Sequence, residues 1–157
     1  MRAPTLLVCA LVAVALPAAR TLPVAAGLSA TEHPFEVCPD SVDHLHIRSL
    51  QFTPDPVSPE ATLRVDIKGT LDEDVSGGKA TLDISYYGVP LTSISFDLCT
   101  NFGITCPQKQ GSDFEGHITY KVPAVPITGV TLDVQIHVED EHGKPISCIK
   151  TQAKVVS

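Results

Sequence analysis

The chain has 157 residues, with 11 Lys and Arg set against 18 Asp and Glu for a net charge of −7. No run of cations occurs, which argues against recognition of nucleic acid and against standing attachment to an anionic bilayer. Aromatic residues make up 5% and tryptophan is missing, so a core has to be built from Val, Ile and Leu.

Residues 1–26 read as a secretory signal. Arg2 supplies the positive start, residues 6–16 the apolar run, and small residues follow at Ala18-Ala19 and Val24-Ala25-Ala26, so cleavage falls at about 26 or earlier, near 19. The apolar run is shorter than the roughly 20 residues a membrane span needs. Its removal takes away Arg2, Arg20 and Cys9, leaving 9 cations against 18 anions, about −9. Cys38, Cys99, Cys106 and Cys148 remain, an even number suited to an oxidising compartment. Four cysteines allow three connectivities. The pair closest in sequence, Cys99 and Cys106, is expected to form a local bridge, which leaves Cys38 to tie the start of the domain to its end through Cys148. No Cys-x-x-Cys spacing points to zinc.

In chain order, residues 27–34 are expected to form a flexible arm and residues 35–157 one domain. Residues 43–53 read as a first strand, followed by a stretch whose Pro54, Pro56 and Pro59 keep it out of a central sheet. Residues 61–71 alternate cleanly, with Leu63, Val65 and Ile67 against Arg64, Asp66 and Lys68. Beyond an acidic turn with Gly77-Gly78, residues 79–87 place Ala80, Leu82, Ile84 and Tyr86 on one side. The fourth strand starts the stretch 93–111. Ile94, Phe96 and Leu98 alternate with Ser93, Ser95 and Asp97, and the Cys99–Cys106 loop that follows is expected at the mouth of the domain. Phe114, Gly116, Ile118 and Tyr120 share a face of residues 112–122. Val130, Leu132, Val134, Ile136 and Val138 do so in residues 130–138, and residues 145–156 form the last strand.

About seven one-sided strands without a helical period predict an all-β, immunoglobulin-like sandwich, although the Cys-Trp-Cys pattern of true immunoglobulin domains is missing. Candidate chemistry is thin. His44 and His46 could present two imidazoles from one strand face, but no third metal ligand is identifiable. Asp72, Glu73 and Asp74 lack the spacing of a calcium loop and read as a solvated hairpin tip, as does the acidic turn 139–141. No Gly-x-Ser-x-Gly elbow or phosphate loop occurs, so neither an enzyme nor a cofactor or metal site is expected. Periodicity leaves open whether the two sheets touch or stand apart around a cavity.

The order of motifs resembles the ML (lipid-recognition) family. It is carried by Cys38, by the Pro-rich stretch before a strand, and by Gly69 to Gly78 as strand end and turn. Next come Phe96-Asp97-Leu98-Cys99, Cys106-Pro107 and Gly111. The series closes with residues 119–126 (TYKVPAVP) and an acidic turn whose Gly143 precedes Ile146 and Cys148. The resemblance implies two sheets splayed around a hydrophobic cavity, with the pairing Cys38–Cys148 and Cys99–Cys106. It also implies a secreted or vacuolar/lysosomal monomer that carries a phospholipid or sterol and touches membranes transiently. The sterol-carrier branch has a further N-terminal bridge that this chain lacks, and Pro39 stands where Gly often follows the first cysteine, so the phosphatidylglycerol/phosphatidylinositol-transfer branch is favoured. Candidate lipid contacts are Leu63, Val65, Ile67, Leu82, Ile84, Tyr86, Ile94, Phe96, Phe114, Ile118, Tyr120, Leu132, Val134 and Ile136, with the Tyr86 and Tyr120 hydroxyls at the entrance. The competing reading is a secreted sandwich with a solid core that recognises a protein or glycan on its surface.

Overall fold

The computed structural model describes residues 31–124 and 128–156, so the signal segment at 1–26 lies outside the described residues. These residues form nine strands: β1 (Thr31–Glu32), β2 (Phe35–Val37), β3 (Ser49–Thr53), β4 (Thr62–Thr70), β5 (Gly78–Tyr86), β6 (Val89–Asp97), β7 (Asp113–Lys121), β8 (Val130–Asp140) and β9 (Pro145–Val155). They pair as two antiparallel sheets, in the orders β1-β3-β4-β7 and β2-β9-β8-β5-β6. The expected all-β sandwich is present. Its two additional strands are β1 and β2, both too short to show a period, and β1 falls within the stretch expected to be an arm.

Alternation builds both layers. On β4, Val65 and Ile67 are buried while Arg64 pairs with its neighbour Asp66 and Lys68 reaches Glu115 of β7 at 2.9 Å. On β8, Val134, Ile136 and Val138 are buried. β9 departs from strict alternation: Ile146, Ser147, Cys148 and Ile149 are all buried. Its outer side is covered there by Cys38, bonded to Cys148, and by the segment around Asp43, whose carboxylate accepts the Ser147 hydroxyl at 3.0 Å. Both disulfides have the expected pairing. The long one spans 110 residues and, on loop-closure entropy, contributes about 4–5 kcal/mol.

Three local expectations are corrected. Residues 43–48 are not strand but a crossing segment that joins the sheets: the His44 N–H donates to the Ile146 carbonyl, and the Thr70 N–H to that of Leu45. Leu45 is thereby buried at one end of the sandwich, and His44 and His46 do not share a strand face. The acidic stretch 72–74 is no hairpin tip, because β4 and β5 belong to different sheets and Val75 is buried between them. The Cys99–Cys106 loop seals the domain rather than forming its mouth: Leu98, Phe102 and Ile104 are buried beside Leu71, Val75 and Ile146.

Phe102 is the centre of that seal. Its N–H donates to the Asp97 carbonyl at the end of β6, and its own carbonyl accepts the His117 N–H of β7 at 2.8 Å, so the loop links the two sheets. The ring is 1% exposed and stacks on Phe114 with centroids 5.9 Å apart. It occupies the space above Gly116, where a Cβ would clash with the ring's Cδ1 and Cε1. Around the same end Asp72 accepts from His44 Nδ1 at 2.7 Å and His46 Nε2 at 2.9 Å.

Two outcomes test this end of the molecule. Gly116→Ala drives a methyl into Phe102 and should cost about 1–3 kcal/mol in urea unfolding, a loss that a smaller residue at 102 partly relieves. An unchanged denaturation midpoint would show that the ring yields freely. The second outcome concerns acid. Slight desolvation is the largest single influence on the Asp72 carboxyl and acts upward, but the hydrogen bonds from His44 and His46 together with their charge outweigh it and hold the group below 3.8. A depressed folded value adds stability above the unfolded value and loses it as pH falls through the folded one. Asp72→Asn should therefore flatten the loss of stability below about pH 4, measured by urea unfolding at a series of acidic pH values. Parallel curves for the two proteins would remove Asp72 from the account.

Candidate functional site

The inward faces of the two sheets form the candidate site. In the four-stranded sheet Phe52, Val65 and Ile118 lie in one cross-strand row, and Leu63 faces Tyr120 in another. In the five-stranded sheet Ile94, Leu82, Ile136 and Ile149 form one row, Ile84 faces Val134, and Leu132 faces Ala153. All fourteen sequence-predicted positions fall on these faces, because each alternates with a polar neighbour on its own strand.

Burial divides them. Val65, Ile67, Leu82, Phe114, Ile118, Val134 and Ile136 are buried, whereas Leu63, Ile84, Tyr86, Ile94, Phe96, Tyr120 and Leu132 are only half-buried. The difference follows position: Ile94 and Phe96 lie on the edge strand β6, and the other part-buried residues lie at the end away from Phe102. Towards the Phe102 seal the apolar rows are closed, and a cavity of only about 10 Å³ remains among Leu71, Leu98, Ile104 and Phe114. The opposite end is less covered: Leu63, Tyr120 and Val122 on one sheet and Ile84, Tyr86 and Leu132 on the other are all part-exposed. The β9 side of that end stays shut, with Val57, Ala153 and Val155 buried. The apolar interior is thus least covered between the β5–β6 hairpin and the ends of β4 and β7.

The hairpin itself was not singled out by the alternation pattern. Tyr87 is 85% exposed, Val89 61% and Leu91 49%, while Tyr86 packs edge-on against Tyr87 at 4.5 Å. β6 begins at Val89, earlier than residue 93, because the β5–β6 pairing steps from Thr92 to Pro90 and leaves Leu91 out as a bulge. A different signal marks this tip: no charged residue occurs between Asp83 and Asp97, and none between Lys121 and Asp133 in the neighbouring connection.

The polar candidates lead elsewhere. His44 and His46 each hydrogen-bond to Asp72. No imidazole among the described residues is hydrogen-bonded to a serine, threonine or cysteine. Asp140, Glu141 and His142 lie close enough to share an ion, yet one Asp140 oxygen already accepts the His142 and Lys144 N–H groups at 2.8 Å. The Lys144 N–H is the strongest of the influences that keep the Asp140 carboxyl below its usual range. The group locks a turn.

Comparison with known proteins matches this architecture. A phosphatidylglycerol/phosphatidylinositol transfer protein of Aspergillus oryzae is 29% identical over 126 residues, covering 75% of this chain and 69% of its own. The Emericella nidulans protein of the same name is 27% identical, covering 75% and 72%. The crystal structure of a Niemann-Pick type C2 protein from the Japanese carpenter ant superposes with a TM-score of 0.63 at 22% identity, over 78% of this chain and 98% of that one. The ML domain profile matches residues 32–155, nearly all of the described chain. The chain belongs to the ML domain family.

Proposed function

We propose that this chain is a secreted or vacuolar/lysosomal lipid-transfer protein that takes the tails of one phospholipid, of phosphatidylglycerol or phosphatidylinositol type, between its sheets. The observation that carries the reading is the difference along the inward rows, from buried near the Phe102 seal to part-exposed beside an apolar hairpin. The names of the fungal relatives support the phospholipid class. Two disulfides support passage through an oxidising compartment.

No covalent chemistry is required. Each methylene moved out of water is favourable by about 0.8 kcal/mol, and a bilayer offers the tail nearly the same gain. Exchange then depends on how far the sheets separate and on contact with the membrane. Leu63, Ile84, Ile94, Phe96 and Leu132 would meet the tail first, because their faces are not fully covered by protein. The buried Val65, Ile67, Leu82, Phe114, Ile118, Val134 and Ile136 would be reached as the sheets part. Tyr86 and Tyr120 would turn their hydroxyls towards the head group. Tyr87, Val89 and Leu91 would enter the lipid interface, where tyrosine and uncharged apolar groups are favoured.

Native mass spectrometry of the disulfide-bonded domain after incubation with mixed vesicles tests the reading. A phospholipid adduct released on denaturation is the expected result. A sterol adduct would overturn the lipid class, and no adduct together with no transfer would favour a solid-core recognition module. Val134→Phe should lower adduct yield with a modest loss of stability. If Val134 is plain core, the change instead costs about 1–3 kcal/mol and leaves uptake intact. Val89→Asp with Leu91→Asp should slow vesicle-to-vesicle transfer while the adduct persists; equal transfer rates would remove the hairpin from the membrane contact.

A further inference from the structure

A cavity of about 680 Å³ lies on the outer face of the five-stranded sheet, on the side away from the apolar interior. Its polar side chains come from the outward positions of the strands, while Pro34, Phe35, Val134 and Thr151 also border it. Asp83, Gln135, Lys150 and Glu36 form one row across β5, β8, β9 and β2, and Ser85, Asp133 and Gln152 form the next. The volume falls within the roughly 300–1,000 Å³ of small-molecule sites. Because the walls stand on paired strands, the groups are held at fixed spacing.

The groups in this groove have hydrogen-bonding capacity left over. Among the described cations, Arg48 pairs with Asp113, Arg64 with Asp66, Lys68 with Glu115, Lys79 with Glu139, Lys109 with Asp74 and Lys144 with Glu73, whereas Lys121, Lys150 and Lys154 stay outside such pairs. Lys150 forms no ion pair with any described residue, although Glu36 is its cross-strand neighbour. Gln135 directs its amide N–H groups only at the sulfurs of Cys38 and Cys148, at 3.4 and 3.2 Å, which are weak acceptors. Asp133 accepts from Gln152 at 3.1 Å, and Asp83 lies 3.4 Å from His137 Nε2.

We propose that this groove is a carbohydrate-binding site that takes a short, uncharged oligosaccharide. Three carboxylates can only accept, an ammonium can only donate, and the two amides do both, so the occupant must offer donors and acceptors at close intervals. Sugar hydroxyls do so without net charge. A phosphate would face Glu36, Asp83 and Asp133, and a polycation would meet Lys150 between them. Planar carboxylate and amide groups also span adjacent hydroxyls in pairs. This reading does not depend on the lipid assignment, since the polar groups of the groove point away from the interior, although Val134 borders both.

Two-dimensional amide NMR of the intact domain, titrated with cellotetraose, mannotetraose and tetra-N-acetylchitotetraose, tests it. The expected result is saturable shifts centred on Asp83, Asp133, Gln135, Lys150 and Gln152 for at least one sugar. Asp133→Ala and Gln135→Ala, both on the outer face, should weaken that response about tenfold while lipid uptake stays unchanged. A free glycan and a glycolipid head group present the same hydroxyls. Vesicles containing a cerebroside, run in parallel, distinguish them: shifts with vesicles alone assign the head group, and shifts with the free sugars assign a soluble or protein-linked chain. No shift from any sugar or vesicle, shifts confined to the hairpin, or a stronger response to spermidine at the same residues would overturn the proposal.

Discussion

Everything else in this fold depends on Phe102 closing over Gly116. Two sheets with one apolar face each must be held together, and here one ring ties them at one end of the shared core. The ring's main chain is bonded to both sheets, and its volume fits only because β7 carries no side chain beneath it. With one end fixed in this way, the spacing at the other end is set by what lies between the sheets. Interiors pack at crystal-like density, so a sandwich closed at both ends would leave no room for a guest.

The same division explains what could be read in the sequence. Strands β4, β5, β7 and β8 were legible because Val65, Ile67, Leu82, Ile118, Val134 and Ile136 recur every second residue, and that period directly determines which face is apolar. Residues 43–48 misled for the same reason. Leu45 and Ile47 also alternate, but the chain there crosses from one sheet to the other, and the left-handed backbone at His46 (φ 37°) is incompatible with a strand. The partnership of Asp72 with two histidines far away in sequence could not be seen, since no local pattern encodes it.

The site was legible as a set of faces but not as a gradient. Alternation treats Val65 and Leu63 alike, whereas Val65 is buried and Leu63, nearer the end of β4, is only part-buried. The hairpin was missed because its residues obey no period. Tyr87 and Val89 stand out only by the lack of charge around them, in a chain whose remaining surface is ion-paired and acidic. Outward polar residues such as Gln135 and Lys150 read as ordinary solvent contacts until the register places them side by side.

The long disulfide has a topological consequence. Cys38 and Cys148 enclose almost the whole domain in one covalent ring. A single backbone cut anywhere inside that ring, whether in the connection before β8 or in the β5–β6 hairpin, opens the ring without releasing a piece. The severed ends stay tethered, and the sheets can re-form around them. Such a molecule loses a piece from within the ring only after a second cut, a form of durability that the fold alone would not supply.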